Sequence, residues 1–167
     1  MILETSDFDN GITKLGQNDL IEADLETYFT DAIETAMIYM IMGKIEGDLF
    51  IADLDVNGEP QTAKWTAIFS EFNWVYGSST WFNIGLKEIL KYFVYSEYVG
   101  GQGVFNQIGG NYSLNQEAST PESLVKKADV IWNRGVMNVA NLQSYMNDNL
   151  ASYPDLEAQA ISFNSPI

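Results

Sequence analysis

The sequence predicts an all-α protein. The expectation is a bundle of four or five helices with one very long C-terminal helix, a long glycine-rich loop with the makings of a β-hairpin, and an extended C-terminal arm. Three observations predict it. Apolar residues recur at three- and four-residue spacing in several separate segments, which is the pattern of helices with one buried face. Glycine, proline and acidic first turns punctuate those segments where helices start and stop. At 167 residues and 46% hydrophobic content, with no internal repeat, the chain suffices for one core. Residues 1–153 then form a single helical domain and residues 154–167 the arm.

The first helix is expected over Asp19–Met42. Leu25, Phe29, Ala32, Ile33, Ala36, Met37 and Met40 form one apolar stripe. Asp19, Glu22, Asp24 and Glu26 crowd the first turns, where negative charge favours the helix dipole. Gly43 supplies the stop and Lys44 sits beside the last carbonyls. Met37, Met40 and Met42 read as core filling ahead of a methionine-rich groove for a partner.

A short helix over about Ile45–Ala52 leads into "DLDVNG", Asp53 to Gly58, which is the first half of an EF-hand calcium loop. The second half fails. Position twelve, where the metal needs a bidentate glutamate, is Lys64, and position eight is Pro60. The stretch reads as a turn between helices, with Asn57-Gly58 at its bend.

Another helix is expected over Thr62–Phe72, with Trp65, Ile68, Phe69 and Phe72 on one side. "NWVYGSSTWFNIG" follows, dense in aromatics. The reading preferred here is aromatics that cap the ends of packed helices. A sugar-stacking platform between Trp74 and Trp81 is the competing reading, and nucleic-acid stacking lacks nearby cations, because none occurs between Lys64 and Lys87.

Asn83–Val99 gives the next helix, with Leu86, Ile89, Leu90, Phe93 and Val94 buried. From Gly100 to Thr120 the periodicity stops. This segment is expected to be the long interaction loop: either a β-hairpin turning at Gly109-Gly110 or a segment that orders against a partner, with Val104, Phe105, Ile108 and Tyr112 as contact residues. The last helix starts with Thr120 as cap and Pro121 at its first position. Leu124, Ala128, Ile131, Gly135, Val139, Leu142, Met146 and Leu150 keep helical phase, Trp132 adds bulk, and Pro154 ends the helix. The tail carries Ile161 and Phe163 and reads as an arm with inter-subunit contacts.

Composition removes whole classes of chemistry. The chain has no Cys and no His. That excludes a disulfide framework, a Cys or His zinc site, and Ser-His or Cys-His nucleophile pairs. Carboxylates alone are a weak signal among 23 acidic residues, so no catalytic residue and no cofactor is assigned. The net charge is −15. Residues 1–59 hold fourteen acids against Lys14 and Lys44, a balance of −12. Such a field repels phosphates rather than binding nucleic acid. The longest apolar run, Ala36–Met42, falls short of the ~20 residues a membrane span needs, and no basic-then-apolar signal opens the chain, so the expectation is synthesis in the cytoplasm.

The order of segments is itself informative: "SDFDNGI", the acidic "DLIEADLETYFTDAIETAMIYMIMGK", "DLFIADL", "GLKEILKYFVYSEYV", "QIGGNYS" and "KKADVIWNRGV". Over about Leu3–Pro154 this resembles the small neck proteins of tailed bacteriophages, above all those of crAss-like and other Bacteroidetes phages. These are head–tail connector, adaptor or ring proteins. The resemblance implies a non-enzymatic structural virion protein, mostly helical. It would form a homo-oligomeric ring, commonly of twelve copies, below the portal protein and against other neck or tail ring proteins. DNA would pass nearby without specific binding. Under this reading Asp19, Glu22, Asp24 and Glu26 belong either to an acidic lumen face or to a solvated outer face. The alternative from a different class is a small ligand-binding module, using calcium at Asp53–Asn57 or a sugar at Trp74–Trp81.

Overall fold

The computed structural model describes residues 2–9, 11–15, 31–108, 121–157 and 159–162, without the side chains of 31–33, 100–108 and 121–125. Among these residues the architecture is mixed: five α-helices and one two-stranded antiparallel sheet. The all-α expectation is therefore corrected. The helices are α1 (Asp31–Met42), α2 (Lys44–Asp53), α3 (Ala63–Phe69), α4 (Leu86–Ile108) and α5 (Pro121–Asp148), and the strands are β1 (Phe72–Tyr76) and β2 (Ser79–Asn83). A 3₁₀ turn, Thr5–Phe8, precedes them, closed by a reciprocal capping box between Glu4 and Asp7.

The strands overturn the reading of 73–85 as an aromatic loop. Phe72 to Tyr76 pairs with Asn83 to Ser79 in register, and Gly77-Ser78 makes the two-residue turn. Two short aromatic and β-branched runs around a glycine turn form a hairpin more readily than they cap helices, because the turn matches the twist of the strands. One face carries Phe72, Trp74, Tyr76 and Trp81, and Tyr145 of α5 packs edge-on against Phe72 and Trp74 at 4.8 and 5.8 Å. The other face carries Asn73, Val75, Thr80 and Phe82, all exposed.

A second correction concerns Gly100–Thr120. The backbone stays helical through Gly100, Gly101 and Gly103 to Ile108. Glycine weakens a helix by ~1 kcal/mol relative to alanine but does not forbid it, and an existing helix extends at the cost of one residue per hydrogen bond. The proposed turn at Gly109-Gly110 lies outside the described residues.

The core lies between α4 and α5. Ser96 donates to the Ala128 carbonyl at 3.0 Å, Phe93 meets Trp132 at 4.7 Å, and Asn83 donates to the Asn138 carbonyl at 2.8 Å. Positions that fall from Ser96 through Phe93 to Asn83, at the end of β2 just before α4, as they rise along α5 make the two helices antiparallel. Leu86, Ile89, Leu90 and Phe93 from α4 and Ile131, Val139, Leu142 and Met146 from α5 are buried, as the apolar spacing predicts. Gly135 admits the Phe93 ring rather than a backbone: a Cβ there would lie 3.1 Å from that ring. Ile38, Ile41 and Met42 of α1, Phe50 of α2 and Trp65, Ile68 and Phe69 of α3 complete the core.

Both ends of the described chain fasten to α1. The carboxylate of Glu34 accepts the backbone N–H groups of Ile2 and Leu3 at 2.9 and 3.0 Å. At the other end of the helix, Glu157 and Gln159 donate their N–H groups to the carbonyls of Met42 and Met40. Those carbonyls have no partner within the helix, so the C-terminal segment acts as its cap. Gly43 allows the approach: a Cβ there would lie 2.6 Å from that of Glu157. Gln143 of α5 clasps the crossing, donating to the carbonyls of Ile41 and Gln159.

Candidate functional site

The half EF-hand is a closed turn whose carboxylates are spent on backbone. Asp53 Oδ2 accepts from the N–H groups of Gln61 and Thr62 at 2.8 Å each, tying the turn to the start of α3. Asp55 Oδ1 accepts from Asn57 and Glu59 at 2.8 and 3.0 Å. The N–H groups of Glu59 and Asn57 hold the Asp55 carboxyl below its ordinary pKa. Val56 stands at the exposed tip. Among the described residues no group of three or more acidic, His or Cys side chains is placed to hold a metal ion. Lys64, at the position of the missing ligand, turns instead to Glu46.

The aromatic stretch builds a cleft. Trp74 and Trp81 face one another across the hairpin with ring centroids 6.0 Å apart. With Tyr76 they form one wall of a cleft of about 250 Å³, and Ser144, Asn147 and Asp148 at the end of α5 form the other. Trp74 is buried, and its indole N–H has no hydrogen-bond partner among the described residues. The Ser144 hydroxyl donates to the Ala140 carbonyl, leaving its oxygen free to accept. The last turn of α5 contains no basic residue. Hairpin register brings the aromatics together, and the length of α5 brings the polar wall. The sequence signals the first half of this site; nothing in it ties Asn147 or Asp148 to the hairpin.

The residues assigned to inter-subunit contacts separate into two groups. Ile161 is buried in the chain's own core, and the Trp132 indole donates to the Ser162 carbonyl at 3.0 Å. As far as Ser162 the arm therefore lies on its own domain. Val104, Phe105 and Ile108 occupy the last turns of α4, but their side chains lie outside the described residues, as do Tyr112, Phe163, Asp19, Glu22, Asp24 and Glu26.

Apolar surface is found elsewhere. On the outer hairpin face Val75 is 73% and Phe82 49% exposed. On α2, Ile45 and Leu49 are 51% and 50% exposed, while Glu46 of the same helix is fully buried. Helix α2 thus buries a carboxylate beside Phe50 and shows two large aliphatic side chains, one turn apart, to the outside. Sequence periodicity missed this because a paired glutamate can take a core position. No described helix is long and apolar enough to cross a membrane.

Comparison with models of protein families, with curated proteins and with solved structures found no match.

Proposed function

We propose that this chain is a structural subunit of the head-to-tail connector ring in the neck of a tailed bacteriophage, located in the virion and performing no chemistry. The observation that carries this reading is the presence of two distinct apolar patches, Val75 with Phe82 on the hairpin and Ile45 with Leu49 on α2. A ring of identical subunits closes through a head-to-tail interface, which needs two different surfaces on each copy. Paired apolar side chains held outward on rigid elements suit contact with a neighbouring copy. The segment order over Leu3–Pro154 supports the same reading, and the net charge of −15 suits a channel wall that must let DNA pass.

Cryo-electron microscopy of intact virions tests it. The protein is expected as a ring between portal and tail, in twelve copies if the resemblance holds, with the hairpin or α2 in the contact between copies. Location in the tail fibres, on the capsid exterior, or outside the particle would overturn the reading. The calcium alternative gains nothing from Asp53 and Asp55, each of which has one carboxylate oxygen engaged by two backbone N–H groups.

A further inference from the structure

The cleft beneath the hairpin has a chemistry of its own. Three aromatic rings, Trp74, Tyr76 and Trp81, face a wall that ends in the carboxylate of Asp148. Asp148 enters no ion pair among the described residues. It closes α5, where the negative end of the helix dipole is opposed by no basic residue in the last turn. Aromatic faces, a free carboxylate and a helix C-terminus all favour a cation. A planar guanidinium suits this wall best, because it can stack on a ring and reach a carboxylate with the same group.

Five of the chain's own cations are already engaged elsewhere in the fold. The chain has eight Lys and Arg residues in all. Lys44, Lys64, Lys87 and Lys91 are held by Asp48, Glu46, Asp7 with Glu59, and Glu88. Lys127 lies over the Tyr95 ring. A protein at −15 attracts a basic partner more readily than a second copy of itself.

We propose that the cleft lined by Trp74, Tyr76, Trp81, Ser144, Asn147 and Asp148 is a docking site for an arginine side chain on an exposed segment of a different, basic protein. The guanidinium stacks on the open face of Trp81 and pairs with Asp148. The Asn147 carbonyl and the Ser144 oxygen accept its remaining N–H groups. The Trp74 ring, buried behind Trp81, backs the stack and reports on it without touching the segment's backbone. The proposal does not depend on the ring reading, which virion imaging decides separately.

The test is a titration of the ¹⁵N-labelled full chain, following the indole N–H signals of its tryptophans, assigned with Trp74→Phe and Trp81→Phe. The probe is acetyl-Gly-Arg-Gly-amide. Its controls are the same peptide with neutral citrulline in place of arginine, and cellotriose. The arginine peptide should shift the Trp74 and Trp81 signals and leave Trp65 unmoved. Asp148→Asn, at an exposed helix end, should fold normally and weaken binding about two- to fivefold, as losing an exposed charge pair does. No shift with the arginine peptide, or equal shifts with citrulline, would overturn the proposal. Shifts with cellotriose alone would make the cleft a saccharide site instead. Concentration-dependent shifts in the protein alone, abolished by Arg134→Ala, would replace the basic partner with a second copy.

Discussion

Lys64 on α3 and Glu46 on α2 form an ion pair at 2.6 Å in which the glutamate side chain is fully buried and the lysine is 27% exposed. The other Glu46 oxygen accepts the Asp155 N–H at 3.2 Å. The lysine also lies over the rings of Trp65 and Tyr153, at 4.1 and 5.1 Å. The Tyr153 hydroxyl returns to the Lys64 carbonyl at 3.1 Å. One buried carboxylate thus joins α2, α3 and the C-terminal segment.

Removing the lysine alone should be costly. Lys64→Met leaves the buried Glu46 with a single N–H donor, and the expected loss is about 3–5 kcal/mol. Replacing both partners, Glu46→Leu with Lys64→Met, should recover much of it, because an apolar pair carries no desolvation cost. Urea unfolding of the three proteins checks the order. A double variant less stable than Lys64→Met would contradict it.

Alkaline pH should loosen the same node. Burial raises the Tyr153 phenol well above its ordinary value, with Tyr145 and the Glu46 carboxylate adding to the effect. The folded state therefore keeps a proton that the unfolded state gives up above about pH 10. Stability from this group is intact below that pH and declines above it, since there the unfolded chain binds fewer protons. Tyr153→Phe should lose about 1 kcal/mol at neutral pH with its hydrogen bond, and should show a shallower decline between roughly pH 10 and 11.5. Parallel declines in both proteins would place the cause elsewhere.

Gly85 should tolerate no side chain. It sits at φ +85°, and a Cβ there would meet the Ser70 backbone at 2.3 Å. Its N–H is held by the Asn83 side chain at 2.8 Å, so the loop cannot drift away. Gly85→Ala should destabilise by about 2–4 kcal/mol from backbone strain and displacement together. Gly11, also at positive φ but with nothing within 4 Å, should lose only about 1 kcal/mol as alanine. Thermal melts of the two variants make the comparison.

Ending the chain after Tyr153 should weaken the domain itself. The cut removes buried Ile161, the caps on Met40 and Met42, and the acceptor of the Trp132 indole. Burial of one large aliphatic side chain alone contributes ~1.5–3 kcal/mol, so the melting temperature should fall by roughly 5–12 °C. An unchanged melt would mean the segment adds nothing to the fold.

Buried faces were legible in the long helices: Leu86, Ile89 and Phe93 in α4 and Ile131, Val139 and Leu142 in α5 all lie inside. In α1, by contrast, the expected stripe holds at Met37 but misses Ile38 and Ile41 and includes the exposed Ala36. What escaped depends on partners remote in sequence. Glu46 reads as a surface residue until Lys64, eighteen positions on, is placed beside it. Glu34 likewise counts only as negative charge until residues 2 and 3 come back to it. The hairpin was legible in principle, since Gly77-Ser78 divides two short β-prone runs, but aromatic density drew attention from alternation. Half of the cleft, Asn147 and Asp148, has no local signature at all.

The fastening of both chain ends to α1 sets a schedule for synthesis. Helix α1 leaves the ribosome early, but the donors to Met40 and Met42 are Gln159 and Glu157, made more than a hundred residues later. Until then those carbonyls and the α1 face of the core must wait among incomplete neighbours. The α1 end of the fold is therefore expected to close only once residues 157–159 are free to reach it, as contacts between distant parts of a chain demand. A ribosome stalled before residue 157 should carry a chain that proteases still cut within α1, whereas a chain carrying residues 157–162 clear of the ribosome should be protected there.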